Sequence, residues 1–315
     1  MEFASIIPWY WIGFALAAFI ILVFNAKYPW KADGKTVHTG HLIAGSLRHF
    51  ADHWRAGLIL VLFLAALDFG LGRSIALWSV HFASRDGLLG NAGFLYGMSF
   101  VISMWLLAAS VFAVGVWAGK PRSTSPNSEP RWIVLGLWYL ALKLSVFVPF
   151  VLFDVLRANH VPFVYQLGAA GWISDSGLRW DLSRIALGIY HVTLALILAP
   201  FLLKLVSSAR NDRRVPLRYF SRRTLTLALT VCLSLAVVSS GNTLILWLGR
   251  LAATPFLDIQ GSGYFLGGAS TSWPSLLFIS LPQNLWIAFM FLIGIGMLVA
   301  AYEASSAEKT KTPPG

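Results

Sequence analysis

Apolar residues gather into seven long runs, near residues 8–24, 57–72, 91–119, 132–156, 185–206, 225–248 and 276–302, with basic and polar residues collected between them. A helix needs about 20 apolar residues to cross the hydrocarbon of a bilayer. The pattern predicts an all-α integral membrane protein, a bundle of about seven transmembrane helices. It forms a single polytopic domain over residues 1–304, followed by a short flexible tail at 305–315. The second run, between Arg55 and Arg73, is the shortest. No connecting segment is long enough to build a soluble core.

The basic residues set a direction. If the chain starts outside, the inward segments hold 17 Lys and Arg and the outward segments 6, with Lys143 inside the fourth run completing the 24. Under the positive-inside rule this predicts an outside amino terminus and a cytoplasmic carboxyl terminus. Met1-Glu2-Phe3 offers no basic n-region, so the first run is expected to be an uncleaved anchor. An integral protein of the bacterial inner membrane is the expected location.

Two inward segments look alike, Leu47-Arg48-His49-Phe50 before the second run and Leu217-Arg218-Tyr219-Phe220 before the sixth. They suggest a parallel duplication of three spans around a linker span, as some transporters use. Recurrent basic-aromatic entry segments are the plainer explanation of the likeness, since the halves match poorly elsewhere. The first inward segment also predicts an interfacial helix: Ile43, Leu47, Phe50 and Trp54 share one face, opposite Arg48, His49, Asp52 and His53. That helix is expected to run close to, or directly into, the second span.

Composition strengthens the membrane reading. The chain is 57% hydrophobic and only 12% charged, against about 25% charged in a soluble domain. Its 14 Trp suit the membrane–water boundary. The net charge of +11 sits between apolar runs, so the expected partners are membrane lipids, with anionic headgroups at the cytoplasmic basic segments, and other membrane subunits. Nucleic acid is not expected. The single Cys232 excludes an internal disulfide and a cysteine metal cluster.

Candidate chemistry falls in two places. His49 and His53 lie one turn apart with Asp52 between them, a spacing that can hold zinc or iron. The plainer reading is a set of titratable groups on a headgroup-facing helix. The second place is a polar level toward the outer ends of the spans, where ionisable groups are costly and tend to be paired or functional. Asp68, Asp154, His191, Asn242, Gln283 and Asn284 fall there, and Lys143 sits nearer the midplane. Ser239–Thr243 and Pro282–Asn284 interrupt the apolar character of the last two runs. These residues are expected either to line an outward-facing polar cavity or to form interhelical hydrogen bonds of about 0.6 kcal/mol each, with a buried Asp68–Lys143 pair.

The glycine-rich outer segments Gly168–Gly171 and Gly261–Gly268 lack the lysine and following helix of a phosphate cradle. They are expected to cover the outer level. Three functions follow: a transporter or channel-like bundle, a non-catalytic anchoring subunit of a larger envelope complex, and a membrane enzyme acting on lipids. No cofactor and no catalytic residue is expected, and the enzyme reading is the weakest of the three.

Overall fold

A computed structural model describes residues 3–32, 34–83, 88–119, 130–158, 176–211, 221–253, 255, 274 and 276–307. Side chains are described within these except at 3–10, 72–83, 88–100, 146–158, 176–184, 187 and 306–307. The described chain is helical apart from one small hairpin. Its elements are α1 (Phe3–Lys27), β1 (Trp30–Ala32), β2 (Lys35–Val37), α2 (Thr39–Asp52), α3 (Trp54–Ala83), α4 (Leu88–Ala118), α5 (Trp132–Ala158), α6 (Ser176–Ala209), α7 (Arg222–Ala253), a π-helical turn (Leu276–Ser280) and α8 (Leu281–Ala307).

All seven predicted runs lie in helices, because a helix satisfies its own backbone where no water can do so. Five are long and apolar enough to cross a membrane, with candidate spans Trp54–Leu71, Val101–Ala118, Gly188–Ala209, Arg222–Ala253 and Leu276–Ser305. The described apolar parts of α1 and α5, Trp11–Lys27 and Trp132–Ser145, are shorter. Large apolar side chains face outward: Ile59 is 66% exposed and Trp105 62%. Such surfaces suit lipid rather than water.

Helical structure continues through the polar interruptions of the last two runs. α7 continues through Ser239–Thr243, and Pro282 lies in the first turn of α8, directly after the π-helical turn. A proline cannot donate to the carbonyl four residues back, and the change from π- to α-helix falls where that bond is missing. Pro200 likewise sits inside α6 without ending it.

The chain divides into two compact units. The first comprises Met1–Ala44, Glu129–Leu233 and Leu298–Gly315; the second comprises Gly45–Ser128 and Ser234–Met297. In the first, α1 and α5 pack on α6. Its interior holds Phe14, Leu42, Leu135, Val206, Leu227 and Val299. Polar ties cross it: Thr226 Oγ1 donates to Asn25 Oδ1 at 2.9 Å and Thr230 Oγ1 to Thr39 Oγ1 at 3.2 Å. Arg210 Nη2 donates to Glu303 Oε1 at 2.8 Å. In the second unit, α3 packs on α4, around Leu60, Ala65, Ile102, Ala113, Val114 and Leu292.

The hairpin was not expected. It pairs Trp30 with Val37 and Ala32 with Lys35, antiparallel. Gly34 has φ +75°, a left-handed conformation open to glycine. The Asp33-Gly34 dipeptide between two short strands is the local signal for it.

Candidate functional site

The last two helices pair antiparallel within the second unit. Trp286 Nε1 on α8 donates to the Val238 carbonyl on α7 at 3.1 Å. A Cβ at Gly241 would overlap the same indole, and one at Gly249 would meet the Phe278 carbonyl and Ile279 of the π-helical turn. Pro282 follows Phe278 by four residues and supplies no N–H to that carbonyl. The absent side chain at Gly249 is what allows the Phe278 carbonyl to approach the α7 backbone.

These two contacts bracket the polar residues. With Trp286 against Val238 and Gly241, and Phe278 against Gly249, the register places Asn242 level with Gln283 and Asn284 to within about one turn. All three are half-buried. The Asn242 Oδ1 is buried and has no hydrogen-bond partner among the described residues. Leaving such an oxygen unpaired costs about 1–3 kcal/mol, so this position is primed to accept from a polar group. Hydroxyls nearby are self-satisfied, as where Thr243 Oγ1 donates to the Ser239 carbonyl at 2.9 Å. Three carboxamides, one of them with a buried acceptor, can bind a polar solute through both donors and acceptors.

A second polar cluster lies in the same unit, around Trp117 at the end of α4. Trp117 Nε1 donates to the Leu292 carbonyl at 3.0 Å, fully buried. Ser46 Oγ on α2 donates to the next carbonyl, Ile293, at 2.7 Å. Phe50 stacks edge-on with Phe289, centroids 5.3 Å apart, and Gly57 leaves room for Phe50 and Trp117. Four helices are thereby joined at neighbouring residues.

This arrangement corrects the expected faces of α2. Leu42 and Ser46 are buried and His49 and Phe50 half-buried, whereas Leu47 and Trp54 of the predicted apolar face are exposed. His49 leaves the expected polar face, its Nε2 donating to the Trp117 carbonyl at 3.1 Å. The expected continuity with the second span is nearly complete. Only His53 separates α2 from α3, and its N–H and carbonyl carry on the helical bonding.

His49 and His53 do come together, ring centroids 4.8 Å apart. His53 Nδ1 donates to the His49 carbonyl at 3.1 Å, so each ring commits one nitrogen to a backbone carbonyl. Asp52 is exposed. Among the described residues no three His, Cys, Asp or Glu gather as a metal ion requires.

The other expected residues are distributed. Asp68 is half-buried on α3 in the second unit, three residues before the end of the apolar window Trp54–Leu71. Lys143 and His191 belong to the first unit. Lys143 is exposed, its Nζ 5.8 Å from the Tyr139 ring centroid one turn back. His191 is half-buried beside Tyr190, centroids 5.7 Å apart. The Asp154 side chain, the glycine-rich outer segments and Leu217–Phe220 lie outside the described residues.

Sequence reasoning missed Ser46, Trp117 and Trp286. A signal for Ser46 was present: Leu42, Ser46, His49 and Phe50 form a second helical stripe beside the apolar one. Trp117 carried none beyond its place near a span end, and Trp286, well inside the last run, carried none. Compared with protein-family models, with curated proteins and with solved structures, the chain matches none.

Proposed function

We propose that the chain is a seven-span protein of the bacterial inner membrane, amino terminus outside and carboxyl terminus in the cytoplasm, that conducts or transports a small polar solute. The observation that carries this reading is the buried Asn242 Oδ1, without a hydrogen-bond partner among the described residues, level with Gln283 and Asn284 on two candidate spans. A π-helical turn beside that level adds support, since such turns recur at functional sites. Asp68, half-buried on α3 of the same unit, is the candidate ionisable group for this route. The 17-to-6 charge asymmetry supports the orientation, and Lys27, Lys31, Lys35, Arg48 and Arg55 meet anionic headgroups.

Cysteines placed at 242 and 284 in a Cys232→Ala background test this directly. Both should react with a membrane-impermeant maleimide added outside intact cells. If neither is labelled, the solute route is wrong. A second reading, a non-catalytic anchoring subunit, draws on the exposed Ser239 and Ser240 of α7. Small hydroxyl residues on an outward face are what a neighbouring membrane helix packs against. Stable co-purification of further membrane subunits in mild detergent, with positions 242 and 284 unlabelled, selects it.

A further inference from the structure

At the Lys27 end of α1 the first unit carries a cavity of about 270 Å³, lined by Leu22, Asn25, Ala26, Pro29, Thr36, Val37 and His38. Its two halves differ in chemistry. Leu22 and Ala26 are exposed on the outward face of α1 and continue an apolar surface that includes Phe19 and Val23. Asn25, Thr36 and His38 are polar. Thr226 holds the Asn25 Oδ1, so that side chain presents its amide N–H groups as donors.

Three cations flank the cavity. Lys27 follows Ala26, Lys35 precedes Thr36, and Lys31 pairs with Thr36 across the hairpin; all three lysines are exposed. In the hairpin Lys31 and its partner Thr36 share the face opposite buried Trp30 and Ala32, while Lys35 is the partner of Ala32 at the turn end. Trp30 pairs with Val37, a wall of the cavity. It is only 3% exposed, and its Nε1 has no hydrogen-bond partner among the described residues. An apolar trough leading to amide, hydroxyl and imidazole groups, with exposed lysines at positions next to the lining residues, matches one ligand chemistry: a hydrocarbon chain ending in a phosphate.

We propose that this cavity binds an anionic glycerophospholipid, its acyl chain along Leu22 and Ala26 and its phosphate among Asn25, Thr36, His38 and the three lysines. The site rests on α1 crossing the bilayer, and it is independent of any solute route. Lys27→Gln/Lys31→Gln/Lys35→Gln removes the cations, whereas Ala26→Trp fills the trough and keeps the charge. Three charges removed outside the lining, in Arg48→Gln/Arg55→Gln/Arg131→Gln, serve as control.

The purified full-length protein in maltoside detergent is titrated with phosphatidylglycerol, phosphatidylcholine or glycerol 3-phosphate, and melting temperature and bound lipid are read. Phosphatidylglycerol alone should raise the melting point and remain bound. The triple lysine variant should weaken that response on the order of a hundredfold, at about a fivefold factor per cation. Ala26→Trp should abolish it, and the control should retain it. An equal response to phosphatidylcholine, a full response to glycerol 3-phosphate, or an equal loss in the control overturns the proposal. Labelling of positions 242 and 284 on the same preparation reports the solute route separately, so either reading can fail alone.

Discussion

Trp117 shows how much one side chain fixes in an apolar interior. Its indole donates to Leu292, its carbonyl accepts from His49, and its ring meets Phe50. Trp117→Phe keeps most of the packing and loses one interhelical hydrogen bond, about 0.6 kcal/mol. Trp117→Ala empties a buried site, at about 3–5 kcal/mol. Equilibrium unfolding in mixed micelles should rank the two in that order; equal losses would mean the hydrogen bond, not the packing, dominates. Arg210 and Glu303 give the opposite case. The Glu303 side chain is 60% exposed, so Glu303→Gln should cost no more than about 1 kcal/mol, diminishing with salt. A larger, salt-independent loss in the same unfolding measurement would contradict the assignment.

Between neighbouring helices, glycines decide how closely α7 and α8 approach. Gly241 faces the Trp286 ring so tightly that a methyl group cannot enter without displacing it. Gly241→Ala should destabilise by about 1–3 kcal/mol through overpacking. In a Trp286→Ala background the same change should be nearly neutral, because the obstructing ring is gone. A double-mutant cycle measures this, and additive losses would sink the contact. The helices themselves were legible, since each apolar run lies within one. Their termini were less so: α3 runs from Trp54 to Ala83 where the apolar run ends near residue 72. A helix persists past its apolar stretch when nothing in the chain stops it, and the sequence there holds no proline.

For the molecule as a membrane protein, orientation is the first quantity to measure. A reporter fused after Gly315 should be active in the cytoplasm and silent outside, and a tag ahead of Met1 should be accessible from outside intact cells. Reversed accessibility would overturn the charge-based direction. The candidate site was legible in part. Asn242, Gln283 and Asn284 stood out as amides inside apolar runs, and the structure brings them to one level of the α7–α8 pair. Their shared depth could be counted along each helix, but which helices pair could not. His49 shows the same limit, because helical spacing gives a residue's angle on its own helix and not the neighbour that covers it.

Hydropathy alone settled that the chain is helical and suited to lipid, because the need to satisfy every backbone group in hydrocarbon leaves a long apolar segment few alternatives. Three-dimensional packing had to settle which faces meet. In lipid, apolar surface gains nothing by choosing protein over acyl chain, so the choice falls to shape and to a few polar contacts: Gly241 under Trp286, Ser46 on Ile293, Trp117 on Leu292. Those contacts join residues far apart in the chain, and no local pattern encodes them.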